Sequence, residues 1–266
     1  MKYNFDVNKI VEYLKQYKKD LPKLYTWKAK IDKLVDLGVI EDYELKELNS
    51  LSPFNREILL NDRINLKIHE VYKKDVEAFN KLCLWIIKDW GGILTAKDDD
   101  TIELITTFLS TEKISYKRIA SASKVGAYMY PEQYIIYDSR VAYSLNWIIL
   151  SENAGDIYFP IPSGRNSKMT AFDMNVLIRM KHIENYNPER ISDMDKRQYI
   201  KSKDKLLYIP DDDSYSELNC LIKEINSKLW EGEKATKLFY TEMLLFSIAD
   251  REIFKDITAR IEIKIK

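Results

Sequence analysis

Apolar side chains recur along most of this chain at spacings of three and four, and that period admits one kind of secondary structure. Strands alternate at two; only a helix gathers positions i, i+3, i+4 and i+7 on one face. Ile10, Val11, Leu14 and Tyr17 share such a face between Val7 and Tyr17. Similar stripes occupy about 26–36, 41–49 and 64–89, the last closing on Gly91 and Gly92, a natural helix stop. Asp98, Asp99 and Asp100 open a helix holding Ile102, Leu104, Ile105 and Phe108. Short helices are expected over 110–120 and 121–130, then longer ones at 138–150, 171–183, 214–229 and 233–249. Residues 151–170, with Pro160, Pro162 and Gly164, read as an irregular loop. LLYIP at 206–210 and RIEIKIK at 260–266 are the two candidates for a short strand.

Seven glycines and seven prolines in 266 residues leave little material for long linkers, so the expectation is an all-α protein. An N-terminal helical region over 1–110 and a second region over 111–266 should pack as one unit. The 42 basic and 42 acidic side chains balance, which counts against a uniformly basic nucleic-acid binder. The charges are unevenly spread, however. Lys113, Lys117, Arg118, Lys124 and Arg140 cluster in sequence, while acidic runs sit at 98–100 and 211–213. Two histidines and two cysteines, all far apart, give no metal set and no Ser-His centre. No cofactor or metal is expected. The N-terminal stretch lacks the apolar core of a signal peptide, and no run approaches membrane-spanning length. The expectation is a monomeric protein of the cytoplasm, associated with the nucleoid and away from membranes.

The segment ISYKRIASASKVGAYMYPEQYIIYDSRVAYSLN, residues 114–146, carries the chemistry. A helix from Lys124 to Tyr130 advances about 10 Å at about 1.5 Å per residue. Pro131 then forces a turn. The apolar, extended Gln133–Tyr137 stretch, at about 3.3 Å per residue, can run the whole way back. Asp138 is thereby expected beside Lys124, opening the next helix as its cap. A primary amine and a carboxylate meeting in a cleft form a nucleophile with an electrostatic partner.

A lysine on the hairpin's second helix, an apolar return and an aspartate opening the next helix resemble the helix-hairpin-helix DNA glycosylase superfamily. The matching residues are Ser123-Lys124 and Ile136-Tyr137-Asp138-Ser139-Arg140-Val141, within about 35 residues of good agreement. WGGI at 90–93 and YFPIPSGRN at 158–166 are similar to segments of bacterial 8-oxoguanine glycosylase-like proteins. Where the family's hairpin is glycine-rich, this chain has Ala120, Ser121, Ala122 and Ser123, and its lysine-to-aspartate interval is shorter than usual.

The resemblance implies a two-lobed helical bundle with a cleft between the lobes, acting on double-stranded DNA that carries a damaged or modified base. It implies that Lys124 attacks C1′ of a flipped-out nucleoside and that Asp138 steadies the positive charge on the sugar. A Schiff base follows, with AP-lyase activity. The base would be oxidised guanine or a modified base in foreign DNA. Lys117 and Arg118 are candidates for lowering the affinity of Lys124 for its proton. Trp90, Tyr137, Tyr158 and Phe159 are candidate stacking platforms, Arg140 and Arg165 candidate base or phosphate contacts, and Ser121 and Ser123 candidate phosphate donors. Two alternatives stand beside this reading. One is a non-catalytic DNA-binding module on the same fold. The other is a helical ribonuclease of the HEPN type using Arg63 and His69.

Overall fold

The computed structural model describes residues 1–111, 113–163, 166–186, 190–192 and 207–262. Helices dominate them. The first five are α1 (Val7–Lys18), α2 (Leu21–Leu24), α3 (Lys33–Asp36), α4 (Asp42–Ser50) and α5 (Pro53–Val71). The next four are α6 (Val76–Trp85), α7 (Asp98–Ser110), α8 (Ile119–Met129) and α9 (Ser139–Ser151). The last five are α10 (Ser167–Ala171), α11 (Met174–Lys181), α12 (Asp211–Leu229), α13 (Phe239–Ile248) and α14 (Glu252–Arg260). The all-α expectation is met. Among the described residues, extended chain pairs only where Tyr158 bridges Tyr208 in parallel, within the expected LLYIP segment. No helix among them is long and apolar enough to cross a membrane.

Helix starts follow their caps. Asp6, Ser52, Asp75 and Asp138 each accept a hydrogen bond from a backbone amide in the first turn of α1, α5, α6 and α9. Several expected boundaries moved. The stripe at 64–89 is two helices, because Lys73 turns through φ +61° and Asp75 starts α6 afresh. The helix expected over 26–36 is helical only in α3, and residues 25–31 have no regular secondary structure. Among the described residues no helix forms between Ser110 and Ile119. Instead residues 113–118 form an irregular connection, held where the Tyr116 hydroxyl donates to the Pro160 carbonyl at 2.9 Å. The helix expected over 171–183 breaks at Phe172, with Asp173 capping α11. A further helix, α14, occupies residues beyond 249; Ile261 and Glu262 are not strand, and 263–266 lie outside the described residues.

Two hydrophobic cores hold these elements. One joins residues 5–25 to side chains between 54 and 257, mainly from α9, α12, α13 and α14. The other gathers Ala29 to Ile105 with Val125, Ala127, Tyr128, Met129 and Ile136. The cores are therefore discontinuous in sequence, and α8 with its following strand-like return contributes to both. The candidate site sits on that seam.

Candidate active site

Hydrogen bonds fold the chain back after α8. The amides of Gln133 and Tyr134 close a turn onto the Tyr130 carbonyl, both at 2.9 Å. The amide of Ile135 donates to Asn219 Oδ1 at 3.0 Å, and its carbonyl accepts from the Tyr215 hydroxyl. The amide of Tyr137 then donates to Ser123 Oγ at 3.0 Å, across 14 residues. That bond ties the neighbour of Asp138 to the neighbour of Lys124. Both side chains line one cavity of about 360 Å³, within the size range of small-molecule sites.

Lys124 is buried, and its amine donates to the Ala120 carbonyl one turn earlier on α8. Gly91 makes room for it: a Cβ there would lie 2.6 Å from the Ile87 carbonyl oxygen and 2.8 Å from the Lys124 side chain. Burial lowers the pKa of Lys124, against the opposing pull of Asp138 and Glu242. Lys117 and Arg118 are not the cause. Arg118 is tied back to the start of α7, donating to the Asp100 carbonyl and Thr101 Oγ1. Arg118 nonetheless has a role in the hairpin, because it takes the left-handed turn, at φ +56°, just before α8. Asp138 caps α9, its Oδ1 accepting from the Val141 amide at 2.9 Å. Burial raises its pKa, while Lys124, the Val141 amide and Arg140 oppose the rise.

The cavity wall is aromatic. A single π-helical turn, Ile86–Trp90, ends α6 and swings Trp90 inward; such turns often mark functional positions. The Trp90 indole N–H donates to both oxygens of Glu57 at 3.1 Å, and its carbonyl accepts from the Trp27 indole. Tyr25, Trp27 and Phe246 complete the wall. Arg140 sits at its edge, 4.6 Å from the Phe246 ring centre and paired with Asp250 at 3.2 Å. Behind Trp90, Glu57 also accepts from the Tyr128 hydroxyl at 2.8 Å, and burial raises its pKa.

Trp90 and Arg140 thus join Lys124 and Asp138, as the sequence reading placed them. Other candidates do not. Tyr137 is fully buried, packed between Tyr116 and Tyr215, with its hydroxyl donating to the Pro160 carbonyl at 2.7 Å. Phe159 stacks on Phe5 at 5.6 Å inside the first core, and Asn146 holds its backbone at both N–H and carbonyl. Tyr158 is likewise buried. Ser123 is structural, and Ser121 is buried in the first turn of α8, out of reach of a phosphate at the surface. Arg165 lies outside the described residues. Arg63 pairs with Glu44 at 2.6 Å, and the His69 ring bonds the Met129 carbonyl at 2.8 Å, so each has a structural partner.

Glu242 and the wall residues Tyr25, Trp27 and Phe246 were not anticipated. For Glu242 a signal exists: it is an acid in the otherwise apolar helix FYTEMLLFSI. Comparison with family models, with curated proteins and with solved structures finds no match to this chain.

Proposed function

We propose that this protein is a DNA glycosylase with AP-lyase activity, in which Lys124 is the nucleophile and Asp138 its electrostatic partner. The observation that carries the reading is a buried primary amine with lowered proton affinity, sharing an aromatic-walled cavity with a capped carboxylate. A neutral amine can attack carbon, whereas an ammonium cannot. Lowering its pKa by burial raises the neutral fraction near neutral pH.

A base reaches such a chamber only after leaving the helical stack, which costs a few kcal/mol and calls for aromatic surfaces to receive it. Trp90, Trp27, Tyr25 and Phe246 supply those surfaces. As the bond between C1′ and the base nitrogen stretches, positive charge grows on the sugar. A carboxylate fixed in advance by α9 stabilises that charge without moving. Attack by Lys124 on C1′ yields a Schiff base, from which the 3′ phosphate is eliminated. On this reading Arg140, which also lines the cavity, meets a phosphate or the edge of the flipped nucleotide.

Borohydride trapping on a duplex with an abasic site tests the reading, because it needs the amine but no particular base. Wild-type protein is expected to form a covalent complex with the DNA, and Lys124→Gln none. Failure of the wild type to crosslink would remove the lysine mechanism and leave the non-catalytic DNA-binding module in its place. A panel of duplexes carrying different modified bases, scored for base release and nicking, then identifies the substrate.

A further inference from the structure

We propose that Glu242 is the proton donor to the departing base, a third catalytic residue opposite Lys124 and Asp138; this rests on the glycosylase reading above. Three observations carry it. Glu242 lines the same cavity as Lys124 and Asp138, arriving from α13, far away in sequence. It is only 6% exposed, in a helix whose other positions are almost all buried and apolar. Its carboxyl group makes no hydrogen bond among the described residues, whereas the equally buried Glu57 next to it is held by Tyr128 and Trp90. Its carboxyl oxygens are not sealed off, because among the described residues the fully buried side-chain nitrogen or oxygen without a partner is Trp85 Nε1, so a partner for Glu242 can come from the cavity. The group available to supply it is whatever fills the cavity.

The charge around Glu242 decides its state. Lys124 faces it from α8, Asp138 and Arg140 from the start of α9, Glu57 from α5 and Tyr25 from the end of α2. Burial, Asp138 and Glu57 together raise its pKa well above the ordinary carboxyl value, and Lys124 opposes them. That direction favours the protonated form of Glu242, which faces the cavity, while Asp138 is the carboxyl group opposed in its rise by Lys124, the Val141 amide and Arg140. Two acidic groups with separated tasks divide the labour of general acid and electrostatic partner.

The step balances as follows. The lone pair of Lys124 Nζ forms a bond to C1′ while the bond from C1′ to the base nitrogen breaks. The bonding pair moves onto the base, which takes the proton of Glu242 and leaves neutral. The new ammonium then gives up a proton as the bond between C1′ and O4′ opens, and O4′ receives it, leaving the Schiff base. Glu242, now a carboxylate, recovers a proton from water. Such assistance matters for a base that is uncharged before it departs. A base already cationic leaves without a proton, so the substrate class is a neutral modified base.

The test compares wild type, Glu242→Gln and Lys124→Gln on two DNAs: a duplex with an abasic site, and the duplex from the modified-base panel that the wild type empties fastest. Glutamine keeps the size and a hydrogen-bond donor but cannot transfer the proton. Single-turnover base release by Glu242→Gln is expected to fall about 10²-fold or more. Wild-type release should decline as pH rises through the Glu242 transition, and that limb should be missing from the variant. Borohydride crosslinking to abasic DNA, where no base departs, should stay near wild type in Glu242→Gln and vanish in Lys124→Gln. Base release at the wild-type rate in Glu242→Gln overturns the proposal, as does an equal loss on both DNAs. A wild type that crosslinks abasic DNA but empties no duplex of the panel overturns it too, while leaving the lysine chemistry intact.

Discussion

A buried amine among carboxyl groups is expensive, and the cost is readable as a dependence of stability on pH. Consider Glu242. Its native pKa lies above the unfolded value of 4.5, so the native protein retains a proton that the unfolded chain releases. Stability from this residue is therefore fully present below pH 4.5 and declines as pH rises toward the native value. Lys124 has the opposite sign: its native pKa is lowered, so the unfolded chain holds the extra proton, and stability rises with pH up to the unfolded 10.5. Urea melts of wild type and Glu242→Gln from pH 4.5 to 7 should separate the two effects. The variant is expected to gain on the wild type with rising pH, by up to about 1.4 kcal/mol per pH unit. A constant difference across the range would mean that Glu242 is ionised in the native protein.

At this same scale some assignments could be read from the sequence and others could not. Lys124 and Asp138 were legible because a proline turn and an extended return leave few ways to place them apart. Tyr137 was misplaced for a simple reason: successive residues of an extended chain point to opposite sides. Ile136 and Asp138 line the cavity, so Tyr137 between them must face the core. Glu242 went unread because no periodicity tells which side of a helix buried all round looks into a chamber.

Among the elements, α9 joins folding to chemistry, since its cap is also the proposed anion. Asparagine at 138 keeps an oxygen for the Val141 amide but loses the charge, whereas alanine loses both. Asp138→Asn is accordingly expected to melt close to wild type and to release base at least 10²-fold more slowly. Asp138→Ala should be equally slow and about 1 kcal/mol less stable by urea denaturation. Equal activity in wild type and Asp138→Asn would reduce Asp138 to a cap alone. Helix existence was mostly legible from apolar spacing, but element ends were not. The break at Lys73 has neither glycine nor proline to announce it, and the π-helical turn before Gly91 leaves the apolar stripe unchanged. The irregular run carrying Trp27 looked helical because Trp27, Ile31 and Leu34 keep a helical spacing. Its indole instead bonds the Trp90 carbonyl across the cavity wall.

For the whole molecule, a net charge of zero must be reconciled with the proposed duplex partner. Exposed lysines lie near the cavity residues in sequence: Lys28 follows Trp27, Lys168 stands two residues after Asn166, and neither has a salt bridge among the described residues. If they meet phosphates, affinity for duplex DNA should fall steeply with salt. The double variant Lys28→Gln, Lys168→Gln should then flatten the slope of log affinity against log salt by about 2, at about 0.9 for each lost contact. An unchanged slope would place the DNA on another face.

The discontinuous first core also bears on how the molecule is made. Synthesis delivers the amino-terminal end first, yet Tyr25 and the α1 side chains complete a core built largely from α9, α12, α13 and α14. These early segments stay unhoused until α9, α12, α13 and α14 have been made. The chamber closes only when Tyr25 and Glu242, far apart in sequence, come together. Lys124 is made well before Glu242, so on the proposed reading the lysine lacks its cavity neighbours until α13 has been translated.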